Sequence, residues 1–176
     1  GGRLEFISNA AINYARTTTV AASSGIHNNN SGNNGALTYT LRDLRIGAHT
    51  LSVTAQGTNA GALVFGPATL TGQAVFDVSS RPTNQLRVGS IGEAGGSFGF
   101  TKTGVGTVVV SDAGTYTGRT IIEDGTMALT SAGAIGASTS IIVRSLLDVS
   151  GVAGGVWPLG AGQVLGGTGE VKGAVT

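Results

Sequence analysis

The sequence has no cysteine and only 3 prolines. The first absence removes disulfide frameworks and Cys-ligated zinc scaffolds. The second, with no Gly-X-Y period, removes collagen. Charge is scarce as well: 10 Lys+Arg and 9 Asp+Glu in 176 residues, net +1. Nucleic-acid binding rests on clustered basic residues, so no nucleic-acid partner is expected. No apolar run approaches the roughly 18 residues of a membrane helix, and Gly1-Gly2-Arg3-Leu4 does not read as a signal peptide. This segment is therefore not expected to be membrane-embedded. Aromatics are 5 % of the chain. In their place stand 31 glycines and many Thr, Ser and Asn, while the hydrophobic fraction of 40 % is near average and unlike a disordered chain.

Helix signals are almost missing, because glycine interrupts nearly every long window at a cost of roughly 1 kcal/mol against alanine. Short β-branched and aromatic runs bounded by Gly, Asn, Asp or Ser are frequent: Leu51-Ser52-Val53, Val75-Phe76-Asp77-Val78, 107–110 and Ile141-Ile142-Val143. The chain reads as all-β.

The strands repeat. Residues 120–130 and 140–150 match without a gap at an offset of about 20, with Ile121, Ile122, Met127, Leu129 and Thr130 each meeting a like residue. The pattern is two apolar residues, a short corner, then apolar-x-apolar followed by Thr or Ser. It returns at 46–54, at 76–79 and at 107–111. A unit this small cannot bury its own faces, but units stacked at about 4.8 Å pair strand on strand over a continuous core. The expected fold is a right-handed parallel β-helix, a β-solenoid of roughly 20-residue coils, seven to nine in number and about 35–45 Å long. Tight corners call for Gly, Asn and Asp, and stacked like charges repel, so the composition follows. An antiparallel sandwich or barrel fits the composition equally but gives no reason for the echo.

Residues Lys102, Gly104, Gly106 and 107–111, then Thr115-Tyr116-Thr117-Gly118-Arg119-Thr120 and Gly125-Thr126-Met127-Ala128-Leu129, resemble the autotransporter-associated β-strand repeat, also called the passenger-associated transport repeat. The segments Leu147-Asp148-Val149-Ser150-Gly151 and 162–173 look like that family's downstream coils, and 63–72 like its preceding ones. The likeness is clearest over 98–176. It departs at Gly114, Arg119 and Met127, where Asn, Gly and Leu are usual, which breaks any Asn corner ladder there. The resemblance implies a secreted or surface-exposed bacterial protein with a β-helical passenger stem, structural or adhesive, and carries no catalytic residues. On this reading 1–176 is a single β-helix segment, a piece of a longer surface protein or a unit whose ends stack on copies of itself, end to end or laterally.

Candidate chemistry is sparse. Glycoside cleavage needs two carboxyls about 5–10 Å apart. Asp77 and Asp148 are expected in one outward slot whose other copies hold Ser52, Val109 and Ala128, so no carboxylate ladder forms. Asp124 is expected to pair with Arg144 one coil on. Gly95-Gly96-Ser97-Phe98-Gly99 matches the spacing of a nucleophile elbow, but no helix pattern follows it, and only His27 and His49 are available as partners. The two histidines are too few for a metal site, no Gly-Lys-Ser/Thr phosphate loop occurs, and no cofactor is expected.

A polar, uncharged stretch over 23–35 reads as a long loop. In it His27, Asn28, Asn29, Asn30, Asn33 and Asn34 could hydrogen-bond a glycan. Trp157, the one tryptophan, would stack on a sugar or a partner if exposed, and otherwise covers the core at a corner. The expected function is a non-enzymatic surface stem, adhesive passenger or filament subunit. A carbohydrate-binding adhesin is the alternative, and a polysaccharide-degrading enzyme ranks behind both.

Overall fold

A computed structural model describes residues 1–30, 35–56 and 61–176. Asn33 and Asn34 lie outside the described residues. The chain winds as a β-solenoid of about seven turns, without α-helix among the described residues. The first sheet stacks Arg3–Ser8, Ser24–Asn30, Thr50–Ala55, Ala74–Val78, Phe100–Thr103, Thr120–Ile122, Ser140–Val143 and Val164–Gly167. The second stacks Ile12–Asn13, Thr38–Thr40, Ala62–Phe65, Gln85–Val88, Thr107–Val110, Thr126–Leu129, Leu146–Asp148 and Glu170–Lys172. Every pairing in both is parallel between successive coils, as a solenoid requires.

Coils average about 23 residues, longer than expected. The reason is a third sheet of Thr18–Val20, Leu44–Ile46, Ala68–Leu70 and Ile91–Glu93, which gives the early coils three sides. In the two coils after Glu93 this side is replaced by loops, and paired strands follow the second sheet again only at Val156–Trp157 and Ala174–Val175. The spacing then contracts, with Phe100 opposite Thr120 and Thr107 opposite Thr126. The echo visible in the sequence belongs to these short coils.

The offset also differs between sheets. Met127 pairs with Leu147 as the echo predicts, but Ile121 pairs with Ile142 and Ile122 with Val143, one residue further along. The corner between Val143 and Leu146 is one residue shorter than that between Ile122 and Thr126, and absorbs the difference. A one-residue slip reverses faces. Ile122, Ile141 and Val143 are accordingly buried, while Ile121 and Ile142 face outward.

The core follows from strand alternation. On the second sheet Tyr39, Leu63, Leu86, Val108, Met127 and Leu147 succeed one another at a single inward position. On the first, Leu51, Phe76, Lys102, Ile122 and Val143 do the same. Phe100 bridges the aromatics, its ring centroid 5.1 Å from Phe76 and 5.5 Å from Tyr116. Each buried aliphatic or aromatic side chain contributes about 1.5–3 kcal/mol. The corners between the first and second sheets depend on Gly104 and Gly125, with φ of 75° and 64°, where a Cβ would strike the backbone of the coil before.

Candidate functional site

The polar stretch that reads as a loop is for the most part a strand. Ser24–Asn30 pairs with Arg3–Ser8 on one side and Thr50–Ala55 on the other. Hydrophilic composition hides the strand in the sequence, but the neighbouring coils supply the pairing. Alternation then divides the candidate residues. His27 and Asn29 face outward, in register with Glu5 and Ile7, while Asn28 points inward opposite Phe6 and is buried. The sequence-predicted cluster is thus split between two faces.

On the outer face His27 Nδ1 lies 2.7 Å from Thr54 Oγ1 in the next coil. Asn29 Nδ2 donates to Glu5 Oε1 at 2.7 Å, and Arg3 donates to Glu5 Oε2 at 2.8 Å. The Asn29 hydrogen bond first, and the Arg3 bond next, hold the Glu5 carboxyl below its usual range. Asn30 Nδ2 donates to the Gly35 carbonyl at 2.6 Å. The amide nitrogens of Asn29 and Asn30 are therefore engaged within the protein. The Oδ1 atoms of Asn28 and Asn30 are buried without a hydrogen-bond partner among the described residues.

Trp157 is 1 % exposed. Its strand, Val156–Trp157, pairs with Ala174–Val175, and the indole fills the core at a corner rather than presenting a face to a sugar. Of the two readings the sequence allows, covering the core is the one that fits.

The carboxylates need two corrections. Asp77 stands on the first sheet between Ser52 and Thr103, and Asp148 on the second between Ala128 and Lys172, so they do not share a slot. Burial disfavours the charge of Asp148, but hydrogen bonds from Lys172 Nζ at 2.8 Å and from Ser150 outweigh it and lower its pKa. Arg144 pairs with Glu123, not Asp124, as the one-residue offset of the first sheet dictates. Among the described residues no three His, Asp or Glu side chains gather as a metal site would require.

Gly95-Gly96-Ser97-Phe98-Gly99 is a loop between Ile91–Glu93 and Phe100–Thr103, not a strand-to-helix elbow. Ser97 Oγ lies 2.9 Å from Thr117 Oγ1, whose proton goes to Glu93, so the serine is the donor of this pair. His49 lies in a corner before Thr50–Ala55, and His27 is bonded to Thr54, so neither serves this serine.

One chemically distinctive group escapes sequence reasoning. Lys102 is 0 % exposed and points into the core between Phe76 and Ile122. Its Nζ donates to the carbonyls of Thr103 at 2.7 Å, Gly104 at 2.6 Å and Asp124 at 3.0 Å. Desolvation lowers its pKa to about 8, against the attraction of Asp124 and Asp77. All three donors are spent on carbonyls of two successive corners, which makes the ammonium a staple. The sequence signal was a charge at an apolar position of the repeat.

Comparison with family models, curated proteins and solved structures returns no match. The resemblance to the autotransporter-associated repeat rests on the residues that carry it.

Proposed function

We propose that the chain is a non-enzymatic stem segment of a secreted bacterial surface protein, holding other parts of the molecule away from the cell. The observation that supports this most is the pair of eight-stranded parallel sheets wound on one core. Backbone hydrogen bonds between coils run along the axis in each sheet, so bending or stretching the rod strains many of them together. Lys102 serves a corner, Glu93 a loop, and Arg144–Glu123 and Lys172–Asp148 are isolated ion pairs. The resemblance over 98–176 adds the bacterial surface as the setting. A passenger stem crosses the outer membrane extended and folds outside, which a cysteine-free chain of locally stacked coils permits.

The test is surface display. Placed behind a secretion signal and ahead of an outer-membrane translocating barrel, the chain should reach the cell surface as a protease-resistant unit recognised by an antibody against an internal tag. Periplasmic retention of a chain that folds normally when purified would overturn the reading.

A further inference from the structure

Where the third sheet ends at Glu93, the loops that replace it leave a cleft of about 450 Å³ beside the first sheet. That volume lies within the range of small-ligand sites, about 300–1,000 Å³. The cleft runs along the solenoid axis at the leading ends of four successive strands, from Gln73 before Ala74–Val78 to Thr139 before Ser140–Val143.

Its wall is held in place from behind. Glu93 Oε2 accepts the Phe98 N–H and Oε1 the Thr117 hydroxyl, both at 2.6 Å, and Gln73 Oε1 accepts the Gly99 N–H. These bonds tie loop 94–99 to both neighbouring coils and turn the Glu93 charge toward the loop backbone.

The lining is of a different character. Thr101, Thr139 and Ser140 bring side-chain hydroxyls to the cleft that make no hydrogen bond to the described chain, and Arg119 is exposed with no carboxylate partner among the described residues. Ile121, on the outward column beside Thr101, gives an apolar patch between them. Hydroxyls can donate and accept, as sugar hydroxyls do. A guanidinium offers a fork that matches a carboxylate. Successive coils set these groups about 4.8 Å apart along the axis, roughly one pyranose ring per coil.

We propose that this cleft binds an extended oligosaccharide bearing carboxylates, with Arg119 on a carboxylate, the hydroxyls of Thr101, Thr139 and Ser140 on ring hydroxyls, and Ile121 against a ring face. The absence of an acidic side chain from the lining and the axial run favour an acidic chain over a single neutral sugar. The proposal is independent of the stem reading.

The experiment is a titration of the chain with tri-galacturonic acid, followed by amide NMR. Saturable shifts are expected at residues 97–101, 118–121 and 139–140. Neutral galactotriose should bind about tenfold more weakly, and inorganic phosphate should not saturate the site. Arg119→Gln should weaken the acidic trisaccharide about tenfold and leave the neutral one unchanged, while Thr101→Val weakens both. No saturable shift, shifts confined to another face, phosphate binding as tight as the trisaccharide, or an Arg119→Gln variant with undiminished affinity would each overturn the proposal. Such a failure would leave surface display unaffected.

Discussion

The Nζ of Lys102 lies 3.0 Å from the carbonyl oxygen of Asp124, a residue of the following coil. With its bonds to Thr103 and Gly104 it closes two stacked corners from the inside. Lys102→Met keeps the volume and removes the donors. Orphaned buried carbonyls cost about 1–3 kcal/mol each, so a net loss of about 3 kcal/mol is expected, a fall in Tm of about 6–12 °C for a chain this size. Thermal denaturation checks it; an unchanged midpoint would show that water satisfies the corner.

The same lysine sets a pH dependence. Its pKa is about 8 in the folded chain against an ordinary 10.5. Between these values the unfolded chain binds more protons, so Lys102 makes stability rise with pH from about 8 to about 10.5. Below about 8 it contributes no slope. Denaturant midpoints of the parent and Lys102→Met should diverge across this window, the parent rising while the variant gains nothing from this position. Parallel curves would mean that the amine titrates normally.

The offset of one residue between the sheets is open to a direct comparison. Ile122→Ala removes an enclosed side chain and should cost about 2–5 kcal/mol. Ile121→Ala, on the outward face, should stay within about 0.5 kcal/mol. Urea denaturation of both variants decides it: equal losses, or a larger loss at Ile121, would overturn the offset. Arg144→Ala should cost less than about 1 kcal/mol, as expected of an exposed ion pair.

These cases show which parts of the fold the sequence discloses. Phe76 and Val78, or Val108 and Val110, announce a solenoid because apolar alternation and stacking agree. The third sheet is hidden because Thr18–Val20 and Ile91–Glu93 are too short to have a period. Asn28 and Lys102 occupy apolar positions, so no hydrophobicity pattern points inward there. The cleft is equally illegible, because Gln73, Thr101, Arg119 and Ser140 meet only through the coil register.

Trp157 offers a clean optical probe because it is the sole tryptophan. Enclosed at 1 % exposure, it should emit well to the blue of free tryptophan and resist acrylamide quenching until the coils unfold. Emission at the solvent wavelength with ready quenching in the folded chain would restore the indole as a contact surface.

Glu93 governs the loop that walls the cleft. Burial disfavours its charge, but hydrogen bonds from the Thr117 hydroxyl and from the backbone N–H groups of Phe98, Thr117 and Gly118 outweigh it and lower the pKa below the ordinary 4.5. A depressed carboxyl contributes stability that is present above the unfolded value and lost as pH falls through the folded one. Loop 94–99 should therefore stay closed at neutral pH and loosen in acid below about pH 4.5. Amide hydrogen exchange at Phe98 and Gly99 reads this locally, and Glu93→Gln should show fast exchange already at neutral pH. Protection that persists in acid and in the variant would place the restraint on Gln73 and the neighbouring strands instead.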